Sequence, residues 1–129
     1  MKKDYLWLFF GGIFAGLGVA FGAFGAHILE NRLSDDDFSI YETAIQYQMY
    51  HAFALLILYA VSHTISEQKV RIIGWSFVLG IVLFSGSLYL YIITSISIFG
   101  AITPFGGVSF LFGWITLSKE GYIVLKNEE

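Results

Sequence analysis

The stretch ETAIQYQMYH sets Glu42, Gln46 and Tyr50 on one helical row at i, i+4 and i+8, with Thr43, Tyr47 and His51 on the next. A second stretch, FSGSLY, supplies Ser85, Ser87 and Tyr89, while His27 and Thr103 stand apart. Three chemistries are open to such side chains. A metal site needs three or four convergent ligands, and only His27, His51 and the acids of one loop are on hand. Haem held by His27 and His51 would have to bridge a depth difference of roughly 10 Å or more. A Ser85 nucleophile would need His51 within hydrogen-bond reach as its base, and serine in an apolar helix is ordinarily a packing residue. The expectation is no catalytic residue, no metal and no cofactor.

Binding is the stronger reading of the same residues. Polar side chains inside a membrane are expensive, so they should turn toward the interior of a helix bundle and pair there. Interhelical hydrogen bonds in membranes average only about 0.6 kcal/mol, a weak return if they serve as glue alone. His27, Gln46, Gln48, His51, Ser85, Ser87, Tyr89 and Thr103 are therefore the candidate lining of a polar pocket. Counted along the helices from His63 and from Ile72, His51 and Ser85 fall at one level, about 18 to 20 Å above the inner edge. Gln46, Gln48 and Tyr89 lie higher, and His27 and Thr103 lie near the outer boundary.

The membrane itself follows from composition. Of 129 residues, 57% are apolar and 13% charged, against roughly a quarter charged in a soluble domain. Residues 72 to 118 carry no Asp, Glu, Lys or Arg, a run long enough to cross a bilayer twice. Four spans emerge, at about 5–26, 43–62, 72–94 and 104–118, the last extending toward 125. The first is too long for the apolar part of a cleaved signal peptide, about 7 to 15 residues. Thr103 is placed as the N-cap of the fourth span and Pro104, the only proline, at its first position, where a missing N–H does no harm.

Lipid gives backbone groups no partner outside their own helix. The expected fold is a single all-α transmembrane domain over residues 1–129, a four-helix up-and-down bundle. Lys2, Lys3, Lys69, Arg71, Lys119 and Lys126 fall on the face that holds both termini and only Arg32 opposite, which argues for both termini in the cytoplasm. The outer loop is acidic, with Glu30, Asp35, Asp36, Asp37 and Glu42. Ser34 and Asp37 have capping-box spacing, so the second helix should begin near Asp35.

In the first span Gly11, Ala15, Gly18, Gly22 and Gly25 form one continuous small-residue stripe, with Gly12, Gly16, Ala20 and Ala23 beside it. Such stripes let helices approach closely. The partner helix is either in this chain or in another copy, which would make a homo-oligomer. Membrane lipid is the other expected partner. A net charge of −3 leaves no basic footprint for nucleic acid, and the absence of cysteine excludes a thiol nucleophile.

The succession GAFGAH (22 to 27), TAIQYQMYHAFALL (43 to 56), GWSFVLGIVLFSGSLY (74 to 89) and GAITPFGGVSFLFGW (100 to 114) resembles the small membrane proteins grouped as domain of unknown function 423, the YgdD-like family. The resemblance runs from about Gly11 to Leu117. It implies a small multi-pass protein, typically of the bacterial cell membrane, with motif positions at His27, Thr43, Gln46, Gln48, His51, Ser85, Gly86, Ser87, Tyr89, Thr103, Pro104, Gly106 and Gly107. Ile28 departs from the glycine expected after the histidine. The resemblance implies no catalytic residue and no substrate. Three functions remain: a non-enzymatic protein whose outward-facing pocket around Gln46, His51, Ser85 and Tyr89 binds a small ligand or lipid, or supports a partner or the membrane; a small oligomeric cation transporter or channel; and a membrane-embedded enzyme using His51.

Overall fold

Four long helices, α1 (Tyr5–Leu29), α2 (Asp35–Thr64), α3 (Glu67–Thr94) and α4 (Ser97–Asn127), are each apolar and long enough to cross a membrane. They are seen in a computed structural model that describes residues 4–129. Lys2 and Lys3, two of the six cationic residues assigned to one face, lie outside the described residues. Consecutive helices run antiparallel, so Tyr5 meets Tyr59 at one end of the bundle, with ring centroids 5.2 Å apart, and Glu120 pairs with Lys69 at 3.8 Å near that same end. The two ends of the described chain share that face.

The small-residue stripe sets the pairing of α1 with α2. A Cβ on Gly11 would stand 2.6 Å from Cδ2 of Leu56 and 3.1 Å from the Ala52 carbonyl, and one on Gly18 would collide with Met49. Gly25 receives the Tyr41 hydroxyl in the same way. The stripe is thus used inside the chain, while Gly12 and Gly16 meet nothing within 4 Å. On the other side α4 packs on α3 by the same device, since a Cβ on Gly106 would run into the Phe84 backbone nitrogen and stand 2.8 Å from the Leu83 carbonyl carbon. Helices α2 and α3 form the centre, where Leu55, Leu58, Val70, Ile73, Phe77 and Ile81 make the apolar core with Trp7 and Phe110.

Local chemistry fixes the start of α2. Ser34 has extended backbone geometry and its hydroxyl accepts from Asp37 N–H at 3.2 Å, with Asp35, Asp36 and Asp37 in the positively polarised first turn of α2. The α3–α4 turn sits elsewhere than the sequence suggests. Ser95 adopts the left-handed region at φ 56°, Thr94 accepts from the Ile96 N–H at 3.2 Å, and α4 starts at Ser97. Thr103 is therefore no N-cap, and Pro104 lies inside the helix. The ring leaves the carbonyl of Gly100 without its helical donor, a loss membrane helices tolerate. A helix begun at Pro104 would be short for a crossing, whereas 31 residues from Ser97 are ample.

Helices α1 and α3 each carry one wide π-helical turn, at Ala20–Gly25 and Ile81–Gly86. Such turns rotate the following residues relative to the preceding ones. They flank the same level of α2, where most interhelical polar bonds are made.

Candidate functional site

The buried polar residues fall into separate knots, each closed on protein groups. At the junction of α1, α2 and α3, the Gln48 amide donates to the Phe14 carbonyl at 2.8 Å and its oxygen accepts from the Tyr89 hydroxyl at 2.7 Å. Close by, Ser85 donates to the Ala44 carbonyl at 2.6 Å. Tyr41 donates to the Phe21 carbonyl at 2.6 Å, a carbonyl inside the π-helical turn of α1 that also takes the Ala26 N–H. The wide turn brings that oxygen within reach of a second donor.

Between α2 and α4 lies the His51 knot. Nδ1 is 2.7 Å from the Tyr47 carbonyl and Nε2 is 3.0 Å from the Trp114 indole nitrogen. A carbonyl can only accept and an indole N–H can only donate. The two contacts together require the neutral imidazole with its proton on Nδ1. Phe110 stacks on the ring with centroids 3.4 Å apart and planes 9° from parallel, and Phe77 lies 5.6 Å away. His51 is buried and both its nitrogens are occupied.

Two further knots join α3 to α4. The Ser87 and Thr103 hydroxyls meet at 2.6 Å, with the Phe84 and Phe99 carbonyls as additional acceptors. Ser109 donates to the Ser76 carbonyl at 2.7 Å. Among the described residues no buried side-chain nitrogen or oxygen lacks a partner, and no group of three or more His, Cys, Asp or Glu is placed to hold a metal.

The candidate residues are thus brought together only in part. Gln48 joins Tyr89, and Ser87 joins Thr103, but Gln46 points to the opposite flank of α2. There it lines a groove of about 520 Å³ with Gly22, Ala26, Ser39, Glu42, Thr43 and Ile45. His27 is exposed near the end of α1. Ser85 and His51 do not share a level, because Ser85 meets Ala44 while His51 meets Phe77. The short turn at Ile65 and Ser66 puts Glu67 rather than Ile72 opposite Thr64, which carries Ser85 about one to two turns higher along α2. Trp114, the partner that fixes His51, has no polar neighbour in sequence to mark it.

Two other spaces are mainly apolar. A cavity of about 450 Å³ near the α1–α2 loop is walled by Phe21, Gly25, Ile28, Leu29, Leu33, Tyr41, Tyr89, Ile92 and Ile93. A groove of about 650 Å³ runs between α2 and α4, lined by Tyr47, Tyr50, His51, Phe84, Pro104, Gly107, Val108, Phe110, Leu111 and Trp114.

Residues 21–107, which carry all these knots except the Phe14 carbonyl and the α4 anchors at Ser109, Phe110 and Trp114, match a family described as protein of unknown function, DUF423. The chain belongs to the DUF423 family. It is 45% identical over 113 residues to the UPF0382 membrane protein YwdK of Bacillus subtilis strain 168, covering 87% of this chain and 92% of the relative. A UPF0382 membrane protein of Staphylococcus epidermidis strain ATCC 12228 is 48% identical over 112 residues, 87% and 91% of the two chains. One from Staphylococcus aureus strain bovine RF122 is 47% identical over the same shares. No solved structure matches. With four apolar helices and bacterial relatives that are membrane proteins, this DUF423 protein is a multi-pass protein of the cell membrane.

Proposed function

We propose that the protein is a non-enzymatic membrane component that takes an apolar or amphiphilic molecule, lipid in the first place, into its lateral grooves. One observation carries this reading: every buried polar side-chain atom among the described residues is already bonded to the protein, while two lateral spaces, the cavity near the α1–α2 loop and the groove between α2 and α4, are walled mainly by aliphatic and aromatic groups. A site built for general acid–base work keeps a titratable group free to reach substrate. His51 has neither nitrogen free. An ion path would need polar groups continuous through the bundle, and the knots are capped by carbonyls and hydroxyls of the same chain. The end of the bundle bearing both termini faces the cytoplasm in this proposal, on the excess of Lys and Arg there.

The test is lipid retention in native-like membrane discs, followed by mass spectrometry of what stays bound after detergent washing. Filling the cavity near the α1–α2 loop with Ile93→Trp should lower the retained amphiphile without lowering the unfolding temperature. Equal retention in both proteins, or none in either, overturns the proposal.

A further inference from the structure

The groove between α2 and α4 holds two features that an acyl chain would leave unused. Its lining is dominated by rings, with Tyr47 4.6 Å from Phe84 and 6.4 Å from Phe110, and Tyr50 6.0 Å from Tyr47. The hydroxyls of Tyr47 and Tyr50 have no hydrogen-bond partner among the described residues, although both side chains line the groove and are 38% and 52% exposed. The buried polar side chains elsewhere in the bundle are tied down, and these two groove hydroxyls are not.

Their depth decides what could meet them. His51 lies near the midpoint of α2 and Trp114 near that of α4, so the knot they form lies well inside the stretch that crosses the membrane. Tyr47 sits 6.3 Å from the His51 ring, nearly parallel to it at 17°. Phospholipid phosphates and esters lie at the borders of a hydrocarbon layer about 30 Å thick, about 15 Å from its middle. Water is scarcer still at this level, and an unpaired hydroxyl there is costly. The complementary occupant is a molecule that lives inside the hydrocarbon, presents a flat face to aromatic rings and carries acceptor oxygens for two phenols.

Resting on the lateral-binding reading above, we infer that the α2–α4 groove binds the ring of an isoprenoid-quinone-type amphiphile, its carbonyl oxygens accepting from Tyr47 and Tyr50 and its tail leaving past Pro104 and Val108 into lipid. The volume of about 650 Å³ falls within the roughly 300 to 1,000 Å³ usual for small-molecule sites. Gly107, whose position against Phe84 is open to 4.0 Å, leaves room for a ring to slide in from the side. His51 takes no part in binding; it holds Phe110 and Trp114 as the groove wall.

The three tryptophans, Trp7, Trp75 and Trp114, give an internal readout. The full chain in lipid discs, labelled with 5-fluorotryptophan, is titrated with a decyl-substituted benzoquinone and, in parallel, with decylbenzene, which has ring and tail but no carbonyl. The inference predicts a saturable fluorine shift at Trp114, a buried Trp7 signal that does not move, and half-saturation at least several-fold lower for the quinone than for decylbenzene. The Tyr47→Phe, Tyr50→Phe double variant should raise the quinone half-saturation about three- to ten-fold and leave decylbenzene unchanged. These hydroxyls hold nothing within the protein, so the variant should fold. Equal binding of both probes, unaffected by the double variant, overturns the inference and leaves lateral binding standing. No saturable shift with either probe overturns the groove as a site altogether.

Discussion

The indole N–H of Trp114 points at Nε2 of His51 across 3.0 Å, joining two helices whose residues are 63 positions apart in the chain. That single bond, with the Tyr47 carbonyl on Nδ1 at 2.7 Å, turns the most chemically suggestive residue of the sequence into a structural pin. Trp114→Phe keeps most of the ring volume but leaves Nε2 without its donor, at a cost of about 1 to 3 kcal/mol. His51→Phe should cost a similar amount. The double variant should lose clearly less than the two single losses summed, as read from thermal unfolding in detergent or discs. Strict additivity would mean the two residues do not act together.

Gln46 and Gln48 are two residues apart and behave oppositely. Gln48→Leu removes the bonds to Phe14 and Tyr89 together and leaves a buried carbonyl without its side-chain partner. With membrane hydrogen bonds worth about 0.6 kcal/mol on average and up to about 1.7 kcal/mol, the expected loss is about 1 to 3 kcal/mol. Gln46→Leu, on the outer flank, should change stability by less than about 0.5 kcal/mol. Chemical or thermal denaturation of the two variants side by side would expose a reversed ranking.

Helix α4 cannot back away from α3 at Gly106, because the atoms a methyl group would strike belong to the Phe84 and Leu83 backbone. Gly106→Ala should therefore destabilise by about 1 to 3 kcal/mol through overpacking. Gly12→Ala meets open space and should be neutral or slightly stabilising, since alanine is the better helix former. Unfolding midpoints that fall equally would contradict the packing described.

Thr103 acts inside its helix, hydrogen-bonded to Ser87 at 2.6 Å. Ser87→Ala and Thr103→Val should each cost about 0.5 to 1.5 kcal/mol, and together less than the sum. A Thr103 that capped a helix would instead lose its effect only with capping residues, and Ser87→Ala would leave the cost of Thr103→Val unchanged.

Much of this architecture was written plainly in the sequence. Residues 72 to 118 without a charge can only be two buried crossings, Ser34 three before Asp37 announces the start of α2, and the spacing of Gly11, Gly18 and Gly25 announces a helix held close. The polar knots were not legible in the same way. Residues two apart on a helix point some 200° apart, so the string QYQ cannot say which glutamine faces inward; only the position of α1 decides it. Depth counting failed for Ser85 because the uncharged run starts at Ile72 while the helix starts at Glu67. Pro104 misled for a related reason. Proline marks a helix start in water, where the next turn is cheap to unwind, but in lipid the demand for a full-length crossing outweighs one missing N–H. Two π-helical turns add a shift of register that no regular periodicity carries.

Nitrogen-15 spectroscopy of His51 in lipid discs tests most directly whether the polar interior is closed on itself. The structure predicts a neutral ring with the proton on Nδ1, and a coupling across the hydrogen bond between Nε2 and the Trp114 indole nitrogen. A proton on Nε2, or an Nε2 with no coupling to Trp114, would contradict it.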